Sequence, residues 1–200
     1  MDRPAPAAHP IHELIAKRWS PRAFADKPVD KATLARLFEA ARWAPSSYNA
    51  QPWEVFVATK DDAPAYARLL GLLVEGNQAW AKAAPVLMIW CTRTTFPANG
   101  KPNRHGWHDA GLALGSLLTQ ATALGLYGHA MAGIKYEEAR STLALPADVD
   151  PVCGFALGYP GDAASLQEPF RTREMSPRER KPIASFVHRD GLSDASPVVQ

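Results

Sequence analysis

The stretch Ala44-Pro45-Ser46-Ser47-Tyr48-Asn49-Ala50-Gln51-Pro52-Trp53 lies between a helical pattern and a β-branched run, and nothing in it propagates a helix. Pro45 and Pro52 each push the preceding residue towards extended backbone, so the chain is held open while Ser46, Ser47, Asn49 and Gln51 present donors and acceptors. Carboxamides both give and accept hydrogen bonds, which suits a flat heteroaromatic ring edged with carbonyls and ring nitrogens. A well-capped turn uses the same residue types, so the stretch alone supports both readings.

The flanking segments fix the loop between core elements. Upstream, Asp30 is placed to cap a helix whose Leu34, Leu37, Phe38 and Ala41 share one buried face. Downstream, residues 54–59 (EVFVAT) form a short β-branched run, read as a strand buried on both faces. Towards the N-terminus, a short helix over residues 12–17 runs into Arg18-Trp19-Ser20-Pro21-Arg22, where Pro21 stops it. Arginine forks match phosphate oxygens bidentately and a serine hydroxyl adds a neutral donor, so the cluster suits a phosphate monoester. A solvated basic turn has the same composition.

Beyond the first strand, residues 63–73 and 78–84 read as helices and residues 86–91 as a second apolar strand. Residues 92–106 carry two prolines and two glycines and read as a long loop, a lid or an interface arm. From Asp109, DAGLALGSLLTQATALGL is apolar almost all round, with Gly111, Ala113, Gly115 and Ser116 early in the helix. A helix with no polar face, in a chain of 200 residues, favours the packing of two copies. Residues 127–134 follow as a glycine-punctuated strand and turn, 137–143 as a helix and 152–157 as the last core strand. Residues 162–200 carry little pattern and read as an extended arm that wraps another subunit. Within it, residues 183–188 are expected to add an edge strand, and 176–182 form a second basic cluster.

Twenty-two basic and 20 acidic residues give a net charge of +2, too balanced for a general nucleic-acid or membrane surface. Residues 110–128 are interrupted by Ser116, Thr119, Gln120 and Thr122, which reads as a buried helix and not a membrane span. Cys91 and Cys153 sit in apolar runs, as expected of reduced thiols in the cytoplasm. The opening MDRPAPAAHP lacks the apolar centre of a signal peptide and reads as a disordered tail over residues 1–10 of a single domain. His105, His108 and Asp109 lack a third ligand at useful spacing, and His108 and Asp109 read as capping groups of the central helix.

The order of these features, RxSxR, a helix, PSSxNxQPW, an Asp-x-Gly-rich helix, a GYP strand end and a basic RxRxP tail, resembles the nitroreductase family of FMN-dependent oxidoreductases. The resemblance covers about Ile11 to His188. It implies an α+β fold with a mostly antiparallel central sheet flanked by helices, an intertwined homodimer, and FMN sites at the subunit interface. It implies further that Arg18, Trp19, Ser20 and Arg22 bind the cofactor, the first arginine and the serine at its phosphate and ribityl chain and Arg22 nearer the pyrimidine edge. Pro45, Ser46, Ser47, Asn49 and Gln51 are then expected at the ring from the partner subunit, Arg178 and Arg180 at the phosphate, and the turn Ala130, Met131, Ala132 and Gly133 near the flavin. NADH or NADPH is the implied donor and a small nitroaromatic, quinone or enone the implied acceptor, in a ping-pong scheme with no catalytic side chain. A non-catalytic flavin carrier or regulator, a flavin destructase and a reductive dehalogenase are alternative uses of the same fold. Tyr48 stands where similar proteins often have glycine.

Overall fold

The computed structural model describes residues 3–199. Four strands form one antiparallel sheet in the order β1-β2-β4-β3, with β1 at Trp53–Thr59, β2 at Val86–Arg93, β3 at Tyr127–Met131 and β4 at Val149–Gly158. Strand β2 is central and buried on both faces, and its alternation sorts the core into two halves. Val86, Met88 and Trp90 pack with Leu37 and Ala41 of helix α2 (Lys31–Arg42) and with Ala113, Leu117 and Ala121 of helix α5 (Gly106–Ala123). Leu87, Ile89 and Cys91 face the other way, onto α3 (Ala63–Gly71) and α4 (Glu75–Ala81) through Leu69, Trp80 and Ala81. The short helices α1 (Glu13–Lys17) and α6 (Tyr136–Thr142) complete this α+β arrangement.

Local chemistry sets the boundaries. Asp30 caps α2 by accepting from the Thr33 amide at 2.7 Å, and Asp62 caps α3 by accepting from Ala65 at 3.1 Å, with Pro64 in the first turn. Helix α5 ends on Gly125 at φ 73°, where the amides of Gly125 and Leu126 reach back to the carbonyls of Thr122 and Ala121. It starts three residues earlier than Asp109, at Gly106, where a side chain would meet the Arg93 carbonyl oxygen at 2.4 Å. Strand β4 begins at Val149 and passes through Pro151, which the sheet tolerates where the register slips between Trp90 and Cys91.

Several expectations change. Strand β1 is an edge strand and only partly buried, with Val57 exposed. In the single chain α5 does have an exposed stripe, Trp107, Gly111, Leu112, Gly115 and Thr119, opposite its buried Ala110, Ala113, Leu117 and Ala121. The C-terminal arm contains a helix, α7 (Phe170–Met175). Residues 183–185 form a single 3-10 turn and not a strand, closed by the Ser185 hydroxyl on the Pro182 carbonyl at 2.7 Å, and His188 makes only an isolated bridge with Ala195. The N-terminal segment, expected to be disordered, is held: the Ala5 amide donates to Ala16 at 2.8 Å, and Arg3 donates to the carbonyls of Glu174 and Ser176. Met1 and Asp2 lie outside the described residues. No helix among the described residues is long and apolar enough to cross a membrane.

Candidate functional site

Where α1 ends, Arg18 takes an extended backbone (φ −60°, ψ 126°), and the chain turns through Trp19, Ser20, Pro21 and Arg22 across the end of α7. A cleft of about 240 Å³ opens there, with Arg18, Ser20, Arg22, Arg173 and Arg180 on its walls. Arg18 donates to the Ser20 hydroxyl at 3.4 Å. Burial lowers the basicity of the Arg18 guanidinium, and the like charges of Arg178 and Arg180 lower it further. Among the described residues none of these three arginines has an acidic partner in an ion pair. Like charges crowded together without ion-pair partners favour an anion, and donors of this kind match a phosphate monoester. Trp19 adds a buried indole N–H with no partner among the described residues, its ring lying 6.2 Å from Tyr127 and beneath the Arg3 guanidinium at 5.0 Å.

The two basic clusters therefore meet, though their members do different work. Arg178 is a clasp: it donates to the carbonyls of Arg3, Ala16 (2.9 Å) and Arg18 (2.8 Å), joining both ends of the chain. Arg180 is exposed, and its recorded bond is a local one to the Glu179 carbonyl at 2.6 Å. Arg22 is half-buried over the Trp80 ring at 5.9 Å.

Two residues that sequence reasoning did not single out hold this loop. Glu174, 2% exposed, accepts from the Arg22 amide at 3.0 and 2.9 Å and from the Ala23 amide at 3.0 Å. His129 of β3 donates from Nδ1 to the Pro21 carbonyl at 2.9 Å, which fixes the tautomer, and packs on Trp80 at 4.6 Å. Desolvation, with Arg22 nearby, pulls its pKa down to about 4, so the ring is neutral. Beyond His129 the turn alternates: Ala130 and Ala132 are exposed, while the Met131 side chain lies in the core and cannot face a ligand. Gly133 accepts from Val74 and Asn77, and a side chain there would meet Asn77 at 2.6 Å.

The loop over residues 45–51 stands apart, since none of its residues lines the arginine cleft. Tyr48, Asn49 and Gln51 all have positive φ, at 52°, 52° and 47°, a conformation that costs non-glycine residues about 1 kcal/mol or more each. The Ser46 hydroxyl accepts from the Gln51 amide at 3.0 Å, and the Ser47 amide donates to Asp109 at 2.9 Å. Asp109 is buried and also meets His108 at 2.9 Å, so it anchors the loop to α5 and does not cap the helix. Among the described residues the Asn49 carboxamide has no hydrogen bond, and the exposed Tyr48 ring meets Phe96 of the 94–105 loop edge-on at 5.8 Å. No group of three potential metal ligands occurs among the described residues.

Fold and site together define an α+β protein with an arginine-rich cleft and a separate strained amide loop. The chain belongs to the Nitroreductase family, whose profile matches residues 15–73 and 61–159. It is 29% identical over 172 residues to the FMN reductase (NAD(P)H) of Bacillus subtilis, covering 78% of this chain and 68% of that protein. It is 30% identical over 177 residues to the NADH dehydrogenase of Thermus thermophilus, covering 73% and 84%. A solved structure described as an oxidoreductase containing FMN superposes with a TM-score of 0.88 at 35% identity, over 95% of this chain and 96% of that one.

Proposed function

We propose that this protein is an FMN-dependent oxidoreductase that carries reducing equivalents from NADH or NADPH to a small organic acceptor, a nitroaromatic, quinone or enone. The observation that carries the reading is the crowding of Arg18, Arg178 and Arg180 without an acidic partner among the described residues, in a chain of this family. Bound FMN supplies the hydride chemistry, at N5 of its ring.

The chain's residues bind and orient. Arg18 and Arg180, with the Ser20 hydroxyl, hold the terminal phosphate, and Arg178 keeps Arg18 in place through its carbonyl. Arg22 supplies a fixed cation where negative charge gathers on the ring's pyrimidine edge, and such preorganised charge favours the reduced state. Ser46, Ser47, Asn49 and Gln51 reach the ring from a second copy packed along the exposed stripe of α5, with the strained backbone of 48–51 aiming the Asn49 carboxamide. A donor and an acceptor that used the same site in turn would give ping-pong kinetics. The buried thiols Cys91 and Cys153, both pushed up to about 12 by desolvation, suit the reducing cytoplasm.

The test starts with the colour of the purified protein. Heat-released flavin is expected to run as FMN on chromatography, and the flavin of the intact protein to be bleached anaerobically by NADH or NADPH and to recolour when a quinone or nitroaromatic is added. FAD as the main species overturns the cofactor assignment, and FMN that neither donor bleaches makes the protein a non-catalytic carrier.

A further inference from the structure

Burial lowers the basicity of the Arg22 guanidinium, the Glu174 carboxylate raises it and the like charge of Arg173 lowers it again, and among the described residues the guanidinium makes no hydrogen bond to an acid. Its nearest carboxylate oxygen, in Glu174, is 3.9 Å from Nη1, while the same carboxylate binds the Arg22 and Ala23 amides at 2.9–3.0 Å. A carboxylate buried at this depth is costly unless its lone pairs are filled, and here backbone N–H groups fill them. On the other side His129 binds the Pro21 carbonyl. The backbone of 21–23 is thus gripped from two elements, while the guanidinium lines the cleft with Trp80 beneath it and Glu174 at 3.9 Å.

We propose that Glu174 is a positioning residue for the cofactor site: its carboxylate fixes the backbone of Arg22 and Ala23 and meets the Arg22 guanidinium only through a long, 3.9 Å ion pair, so that the guanidinium can face the flavin. This rests on the functional reading above. Glu174 lies in α7 of the C-terminal arm, so the arm contributes a buried anion to the loop as well as the exposed cation of Arg180 to the cleft.

The experiment titrates FMN into flavin-stripped full-length protein. Glu174→Gln keeps the volume but turns one acceptor into a donor facing the two amides, and is expected to weaken FMN about tenfold. In an Arg22→Ala background the same substitution should cost less than twofold, because its effect passes through Arg22. Amide exchange at Arg22 and Ala23 in the flavin-free protein should rise while β2 and β4 stay protected. An unchanged affinity, or an equal loss with and without Arg22, overturns the assignment. If Glu174→Gln does not fold, Glu174→Asp, which retracts the carboxylate by one methylene, is judged by the same two titrations. A parent chain that takes up no FMN would sink the functional reading alone, since the exchange measurement still reads the hold of Glu174 on the loop.

Discussion

His129 shows how a single side chain ties the site to solution conditions. Its folded pKa is about 4 against an ordinary 6.5, so the native state resists a proton that the unfolded chain accepts. Stability is therefore complete above pH 6.5 and is lost as pH falls towards 4, by about 3 kcal/mol if no other group compensates. Denaturant midpoints between pH 7 and 4.5 should fall by about one proton's worth more in the parent than in His129→Asn, whose amide keeps the donor to Pro21. Equal slopes would mean that the ring is not held neutral. At this scale legibility followed proximity in sequence. Arg18, Ser20 and Arg22 stand within five residues and announce themselves, whereas Glu174 meets Arg22 across 152 positions and Asp109 meets Ser47 across 62. No local pattern connects such partners.

Among the elements, hydrophobic period identified those that are long or buried. The apolar runs at 86–91 and 152–157 are strands, and the spacing of Leu34, Leu37, Phe38 and Ala41 is a helix. Helix α7 escaped because six residues rich in charge show less than two turns of period. The burial of β1 is not legible in its sequence, since an edge strand and a central one can share the same β-branched composition. The join between β3 and β4 gives a sharp test. Gly128 lies against the Phe155 ring, and a Cβ there would fall 2.1 Å from Cζ of a side chain with no room to move. Gly128→Ala should cost roughly 1–3 kcal/mol in urea unfolding, while Gly76→Ala in α4, with nothing within 4 Å, should be neutral or stabilising. A neutral Gly128→Ala would show that the sheet gives way there.

For the whole molecule, the central question is whether one chain makes a site. The arginine cleft and the 45–51 loop are separate within the chain, as expected if each serves a different subunit's half of a composite site. Arg18→Ala and Asn49→Ala homodimers would each have two damaged sites, and a mixed dimer one intact site and one doubly damaged site. Refolding the two variants together at equal concentration should make about half of the dimers mixed under two-fold symmetry, so about a quarter of all sites regain activity. NAD(P)H-dependent quinone reduction above either control supports the composite site, and activity equal to their average assigns both residues to one chain. Of this scale the sequence held hints only: an apolar central helix and a long patternless arm say that something is covered, not what covers it.

The clasp of Arg178 on Arg3, Ala16 and Arg18 has a consequence in time. A ribosome releases the RxSxR loop early, but Glu174, Arg178 and Arg180 are made only after the whole sheet, which ends at Gly158. The nascent chain therefore has no finished anion cleft for most of its synthesis. The anion cleft is completed only after every core strand has been made, and a chain cut short before residue 174 would lack Glu174, Arg178 and Arg180.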